Sequence, residues 1–410
     1  MERNEIVTLR DLAKQVAEIS KKDIQQKRRE LWRCHNSFIK TRPPVLVSTG
    51  RYDCLATEII TEDNLKCSDP LYRHYEFELR KVIFRDSLED DKIVEPWIAV
   101  RASFLSRGWG LSIKHLNSQT KGGAYQIEPV IKNIKDIEKL VKPRHIIDEM
   151  KTSQDFFKIQ DVIGDIIKVR VDRSPLFQSF LGDISYSLVQ LIGLEQLMFS
   201  MYDQPEWLHR ILEIMKSGIL AIHEEAETAG DWNLFSQNNQ AEPYAEELPS
   251  PLSETGVKGR SEIWGYFASQ EYTLISPEMF NEFLLRYQIP IMEKFGLIAY
   301  GCCEDLTNKI CYLKKIPNLR RIAVAPWADV RKCAEQIQKD YIMSWRPNPS
   351  LMVCNEWDPD IIRKVVIEAM DATKDCYMDI TLKDIQTVKN DPTRLKNWVK
   401  IVRDISEASM

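Results

Sequence analysis

Two textures divide the chain. Up to about residue 90 the apolar positions fall at helical spacing among many charges. Leu71, Tyr75, Leu79, Val82 and Ile83 form one stripe behind an Asp69-Pro70 start, in which the aspartate caps and the proline occupies the first turn. Residues 9–32 carry Leu12, Val16, Ile19 and Leu31 among Lys, Arg and Glu and read as a helical cover for the main domain. From about Ile93 the pattern changes to short apolar runs, each tending to be followed by a helix-like segment. The predicted strands are 93–100, 166–171, 232–235, 297–301, 321–326, 341–345 and 377–382. Between them Ser276-Pro277 and Asp358-Pro359 open helices, the second with Ile362, Val365, Val366, Ala369 and Met370 on one face. Strands alternating with helices imply parallel βαβ units. The expected fold is therefore α/β, a (β/α)8 TIM barrel over residues 91–410 with an N-terminal helical extension, residues 1–90, packed on it.

Composition narrows the class. The 410 residues are 44% hydrophobic and 29% charged, as in an ordinary globular protein. A formal charge of −5 argues against sequence-independent binding to nucleic acid or an anionic membrane surface. The longest apolar stretch, about 186–202, is interrupted by Gln190, Glu195 and Gln196 and is too short to span a bilayer. Without the apolar core of a secretory signal near its start, the protein is expected to be cytoplasmic, with its nine cysteines as thiols. Cys311 and Cys333 read as core residues on helical faces. There is no GxGxxG, Walker A loop, GxSxG elbow or HExxH, which weakens dinucleotide, nucleotide-hydrolysing, serine-hydrolase and zincin readings.

A parallel barrel carries its active site at the carboxyl ends of its strands. There the chain places Cys302-Cys303-Glu304-Asp305, Trp327, Trp345-Arg346 and Lys383-Asp384, with Trp232 and Asn239 after an earlier strand. Thiolates bind Zn²⁺ and a carboxylate can complete an open site, so Cys302, Cys303 and Glu304 are candidate ligands, joined by Cys376 before the last strand. The plain alternative is that these cysteines are small buried hydrophobes. Trp232, Asn239, Trp327, Trp345 and Lys383 are the candidate substrate-binding residues, the tryptophans as walls of a planar-ligand pocket or simply as loop packing. Lys383 reads either as a Schiff-base residue or as a salt bridge with Asp384.

The segment SQEYTLISPEMFNEFLLRYQIPIMEKFGLIAYGCCEDLTNKICYLKKIPNLRRIAVAPWADV, residues 269–329, resembles the uroporphyrinogen decarboxylase superfamily. So does LVQLIGLEQLMFSMYDQPEWLHRIL, residues 188–212, which is similar to that family's Gly-x-Glu-x-Leu and Asp-x-Pro helix pair. The resemblance covers about residues 160–390 and implies the same barrel. The superfamily holds both decarboxylases and corrinoid-dependent methyltransferases. The decarboxylases' arginine-rich motif is present only as Gly50-Arg51-Tyr52, without the preceding Arg-Gln-Ala. The thiol methyltransferases carry His-x-Cys where this chain has Tyr300-Gly301-Cys302, and a second zinc cysteine near the last strand, where Cys376 falls. Tyr300 replaces the histidine, leaving Glu304, Cys303 or Glu271 to supply the third ligand.

The resemblance thus implies a corrinoid-dependent methyltransferase. It would move a methyl group from a small O- or N-methylated donor to the Co(I) of a partner corrinoid protein, with Cys302, Glu304 and Tyr300 catalytic and a Zn²⁺ as Lewis acid. Two alternatives stand beside it. One is metal-free decarboxylation of a uroporphyrinogen-like polycarboxylate, with Arg51, Arg101 or Arg107 binding carboxylates; the other is a non-catalytic barrel that binds a tetrapyrrole or corrinoid.

Overall fold

A computed structural model of the chain describes residues 2–106, 108–117, 125–235, 241–253 and 259–408. The strands in chain order are β1 (Val45–Val47), β2 (Trp97–Arg101), β3 (Lys114–Asn117), β4 (Tyr125–Glu128), β5 (Lys168–Asp172), β6 (Trp264–Phe267), β7 (Leu297–Tyr300), β8 (Leu319–Val324), β9 (Ile342–Trp345) and β10 (Tyr377–Leu382). Six form one parallel sheet in the order β1-β10-β9-β8-β7-β6, and β2 pairs in parallel with β5. β3 and β4 form a separate antiparallel pair. The architecture is α/β with parallel strands as expected, in sheets of six and two; among the described residues no ladder joins the two into a closed ring.

The strand expectations change at five places, two of them β3 and β4, which the sequence pattern does not predict. Residues 232–235 are not a strand. β6 has all four residues buried, so its sequence, WGYF, shows no apolar-polar alternation. β1 lies in the segment read as helical throughout, and its Val45, Leu46 and Val47 align with Ile380, Thr381 and Leu382 of β10. A three-residue strand is too short to leave a period in the sequence.

The helix starts follow the predicted chemistry. Asp69 accepts from the backbone N–H groups of Leu71 and Tyr72, both at 3.1 Å, and opens Pro70–Ser87. Asp358 accepts from those of Asp360 and Ile361 and opens Pro359–Ala372, whose Ile362, Val366 and Ala369 are buried. Such caps satisfy amide groups that the first helical turn leaves without partners.

Alternation along the strands divides the interior into two layers. Ile298, Tyr300, Ile322, Val324, Met343, Trp345, Met378, Ile380 and Leu382 point outward into the main hydrophobic core beneath the helices. The opposite face of β6 and β7 carries Trp264, Tyr266, Leu297 and Ala299, in one cluster with Ala268 and Cys302. On β8, β9 and β10 that inner face is polar, with Arg321, Ser344, Asp379 and Thr381 all buried. Around β2 and β5, Val100 and Val169 pack against Leu9, Leu12, Val16, Tyr75 and Leu79, so the first helices do cover a sheet.

Candidate functional site

Four elements bring a charged cluster together at the carboxyl ends of the large sheet. Lys383 follows β10, Arg346 follows β9, Cys302 and Cys303 follow β7, and Tyr266 lies on β6. Lys383 continues the inner face of Asp379 and Thr381 by alternation, as Arg346 continues that of Ser344. Between β7 and the cysteines stands Gly301 at φ +99°, where an added Cβ would lie 2.6 Å from Leu306 Cδ1 and 3.0 Å from Ala323 Cβ. Only glycine meets that backbone and that space without strain.

The two sulfurs are 3.5 Å apart. Lys383 Nζ reaches both, at 3.2 Å from Cys302 Sγ and 3.0 Å from Cys303 Sγ, and pairs with Asp384 at 3.0 Å. Asp384, in left-handed backbone at φ +58°, has its Oδ2 3.4 Å from Cys303 Sγ. Arg346, fully enclosed, donates from Nη1 to the carbonyl of Cys302 at 2.7 Å. The Tyr266 hydroxyl donates to the carbonyl of Gly301 at 3.3 Å and touches the Cys302 sulfur.

These contacts set the charge. The hydrogen bond from Cys303 lowers the Cys302 thiol well below its ordinary value against the opposing cost of burial, helped by Arg346, Lys383 and Tyr266. Cys303 is raised, first by that same hydrogen bond and then by burial, so the pair holds one negative charge between two sulfurs. Burial is the largest influence on Lys383 and would depress it, but the sulfurs of Cys302 and Cys303 and the carboxylate of Asp384 together hold the ammonium above its ordinary value. The directions of these shifts favour a thiolate on Cys302, a thiol on Cys303 and an ammonium on Lys383.

Glu304 works from behind. Its Oε1 accepts from the Ser269 amide at 2.7 Å and its Oε2 from the Cys302 amide at 2.8 Å, so it ties the loops after β6 and β7 together. It positions Cys302 and does not face the sulfurs' cation. Tyr300 points outward, its hydroxyl donating to Gln288 Oε1 at 2.7 Å, and Gln288 in turn holds the Asp183 and Ala268 carbonyls. Burial first, with Glu271 and Glu304 nearby, raises the carboxyl of Asp183 well above the ordinary range.

The expected zinc set is not assembled. Cys376 precedes β10 whereas Lys383 follows it, and the six residues of that strand place the two ends about 20 Å apart. Its sulfur instead approaches the Ala334 carbonyl at 3.7 Å. Among the described residues no three His, Cys, Asp or Glu side chains are grouped to hold a metal ion. Beside the two sulfurs stands the Lys383 ammonium.

The aromatic candidates scatter. Trp232 is buried, with its indole donating to the His223 carbonyl at 3.2 Å and its ring against Phe295. Trp345 lies in the outer core and Trp327 is 71% exposed beyond β8. Asn239 and Arg107 lie outside the described residues. Arg101 pairs with Asp172 at 2.8 Å, and Arg51 lies over the Phe77 ring near Glu78. Cys333 is buried as expected, but Cys311 is exposed. Of the candidates, the structure brings together Cys302, Cys303 and Lys383, with Glu304 behind them. Tyr266 was missed because its strand was missed, whereas Arg346 and Asp384 were visible at strand ends and lacked only a reason to be chosen. Among the described residues no helix is long and apolar enough to cross a membrane. No protein-family model and no curated protein sequence matches the chain.

Proposed function

We propose that this chain is a methyltransferase that takes the methyl group of a small O-methylated compound and delivers it to the Co(I) of a partner corrinoid protein, without a zinc ligand set. In this reading the sheets of six and two are arcs of one (β/α)8 barrel, and the donor enters at the carboxyl ends. The observation that carries the proposal is the buried Lys383 ammonium, held protonated by the sulfurs 3.2 and 3.0 Å away. Displacement at a methyl carbon needs alignment and a way to discharge the departing heteroatom. With the donor bound, Lys383 Nζ gives up its contact with the exposed Asp384, hydrogen-bonds that oxygen and passes it a proton as the C–O bond breaks, so the product leaves as a neutral alcohol or phenol. The thiolate and Asp384 stabilise the ammonium beforehand. An O-methyl donor fits better than a quaternary N-methyl donor, because the latter departs as a neutral amine and needs no proton.

The test is the growth of methyl-cobalt absorbance when the protein meets chemically reduced cobalamin and a panel of methyl ethers and methylamines, in the presence of a chelator. Methyl ethers are expected to react, with a loss of roughly 10²–10⁴-fold in Lys383→Ala, the usual share of a general acid. No reaction with any ether, or full activity in the variant, rejects the proposal.

A further inference from the structure

We propose that Cys302 and Cys303 form a reversible two-electron redox site, closed by peroxide into a disulfide between adjacent residues. This goes beyond the methyltransferase reading and holds whatever reaction the site performs. Three observations on different groups point to it. The sulfurs stand 3.5 Å apart, so closure to the roughly 2.05 Å of a disulfide moves them little, and because adjacent Cα atoms lie about 3.8 Å apart, inside the usual disulfide span, the bond formed is strained and readily reduced. The loop that carries them, residues 301–306, belongs to no helix or strand, so no ladder of backbone hydrogen bonds resists that movement. Lys383 Nζ contacts both sulfurs, and the half-buried Cys303 is the side from which a small oxidant approaches the buried Cys302 sulfur 3.5 Å away.

The chemistry balances with hydrogen peroxide as the named oxidant. The Cys302 thiolate attacks one peroxide oxygen, the O–O bond breaks, and the departing hydroxide takes a proton from Lys383 to become water. Cys303 then gives its proton to the neutral amine and its sulfur attacks the Cys302 sulfenic sulfur. The second hydroxide leaves, again protonated by Lys383. The two sulfurs have lost two electrons, the peroxide has become two waters, and the lysine ends neutral beside an uncharged disulfide. Lys383, 3.0 Å from Asp384, then regains a proton from solvent, so oxidation removes the thiolate and leaves the ammonium in the site.

Trypsin cuts after Lys294 and Lys309, and the peptide between them, residues 295–309, holds both cysteines and no other. The intact chain is treated with near-stoichiometric hydrogen peroxide, quenched in acid, alkylated and digested. The expected result is a peptide lighter by two hydrogens, restored by dithiothreitol. Cys303→Ser should instead accumulate a sulfenic acid trapped by dimedone, and Lys383→Met should slow closure at pH 7 by about tenfold or more as the thiolate fraction falls. A wild-type peptide that only gains oxygen, or oxidation confined to the exposed Cys311, overturns the proposal. The wild-type result decides it without any variant. Because the readout is mass and not turnover, it stands or falls apart from methyl transfer.

Discussion

At the scale of single residues, the cluster after β7 and β10 is governed by how one negative charge is shared. Lys383 and Arg346 are the cations that stabilise it, and both are buried where water screens them little. Titrating the thiolate's ultraviolet absorbance should therefore show one thiolate of the pair already formed at pH 7. Lys383→Met should shift that titration upward by roughly 1–3 units, the usual effect of removing an opposite charge at contact distance. An unchanged midpoint would mean that the lysine does not set the charge. A second charged knot lies deeper on the inner face. Asp379 accepts from Arg321 at 2.5 Å and Ser344 at 2.8 Å, and its Oδ2 lies 3.3 Å from His35 Nε2, which ties three strands and the second helix (Asp23–Asn36) together. A charge so enclosed is tolerated because three donors meet its two oxygens, one of them a guanidinium of opposite charge.

At the scale of elements, strand ends decide where the charged cluster gathers and glycine decides one strand end. Gly301 lets β7 stop in left-handed backbone so that the following cysteines turn toward Lys383. Gly301→Ala should destabilise the protein by about 2–4 kcal/mol, from the left-handed backbone and the collisions with Leu306 and Ala323. The check is a lower urea midpoint at unchanged slope; a midpoint equal to that of the wild type would show that the loop relaxes freely. The helix starts at Asp69, Ser276 and Asp358 were legible in the sequence because capping is local chemistry, complete within four residues. β1 and β6 were not legible. One is too short to show a period, and the other is buried on both faces, which erases alternation.

At the scale of the whole molecule, burial of neutral histidines links stability to pH. His223 is fully enclosed between Trp232 and Phe295, and burial first lowers it from 6.5 to about 3; His35 is lowered in the same direction by the same cause. The unfolded chain therefore binds protons below about pH 6.5 that the folded chain refuses, so stability is full above that pH and falls as pH drops through the window down to about 3. His223 alone should cost about 2 kcal/mol at pH 5 relative to pH 8. Urea midpoints across that range test this: His223→Gln should be less stable at pH 8 yet show a flatter profile, and an equally steep profile would assign the pH dependence to other groups. The sequence by itself determined the α/β class, the parallel βαβ pattern, the capped helix starts and the adjacency of Cys302 and Cys303. Each of these rests on periods and contacts spanning a few residues. Only the tertiary structure decided which side chains meet. It set Lys383 against thiols some eighty positions earlier, sent Cys376 to the opposite end of β10, and turned Tyr300 and Trp345 away from the inner face. Strand register and alternation fix those outcomes, because a residue's face and end of a parallel sheet follow from its strand's limits, and pairing with distant strands sets them.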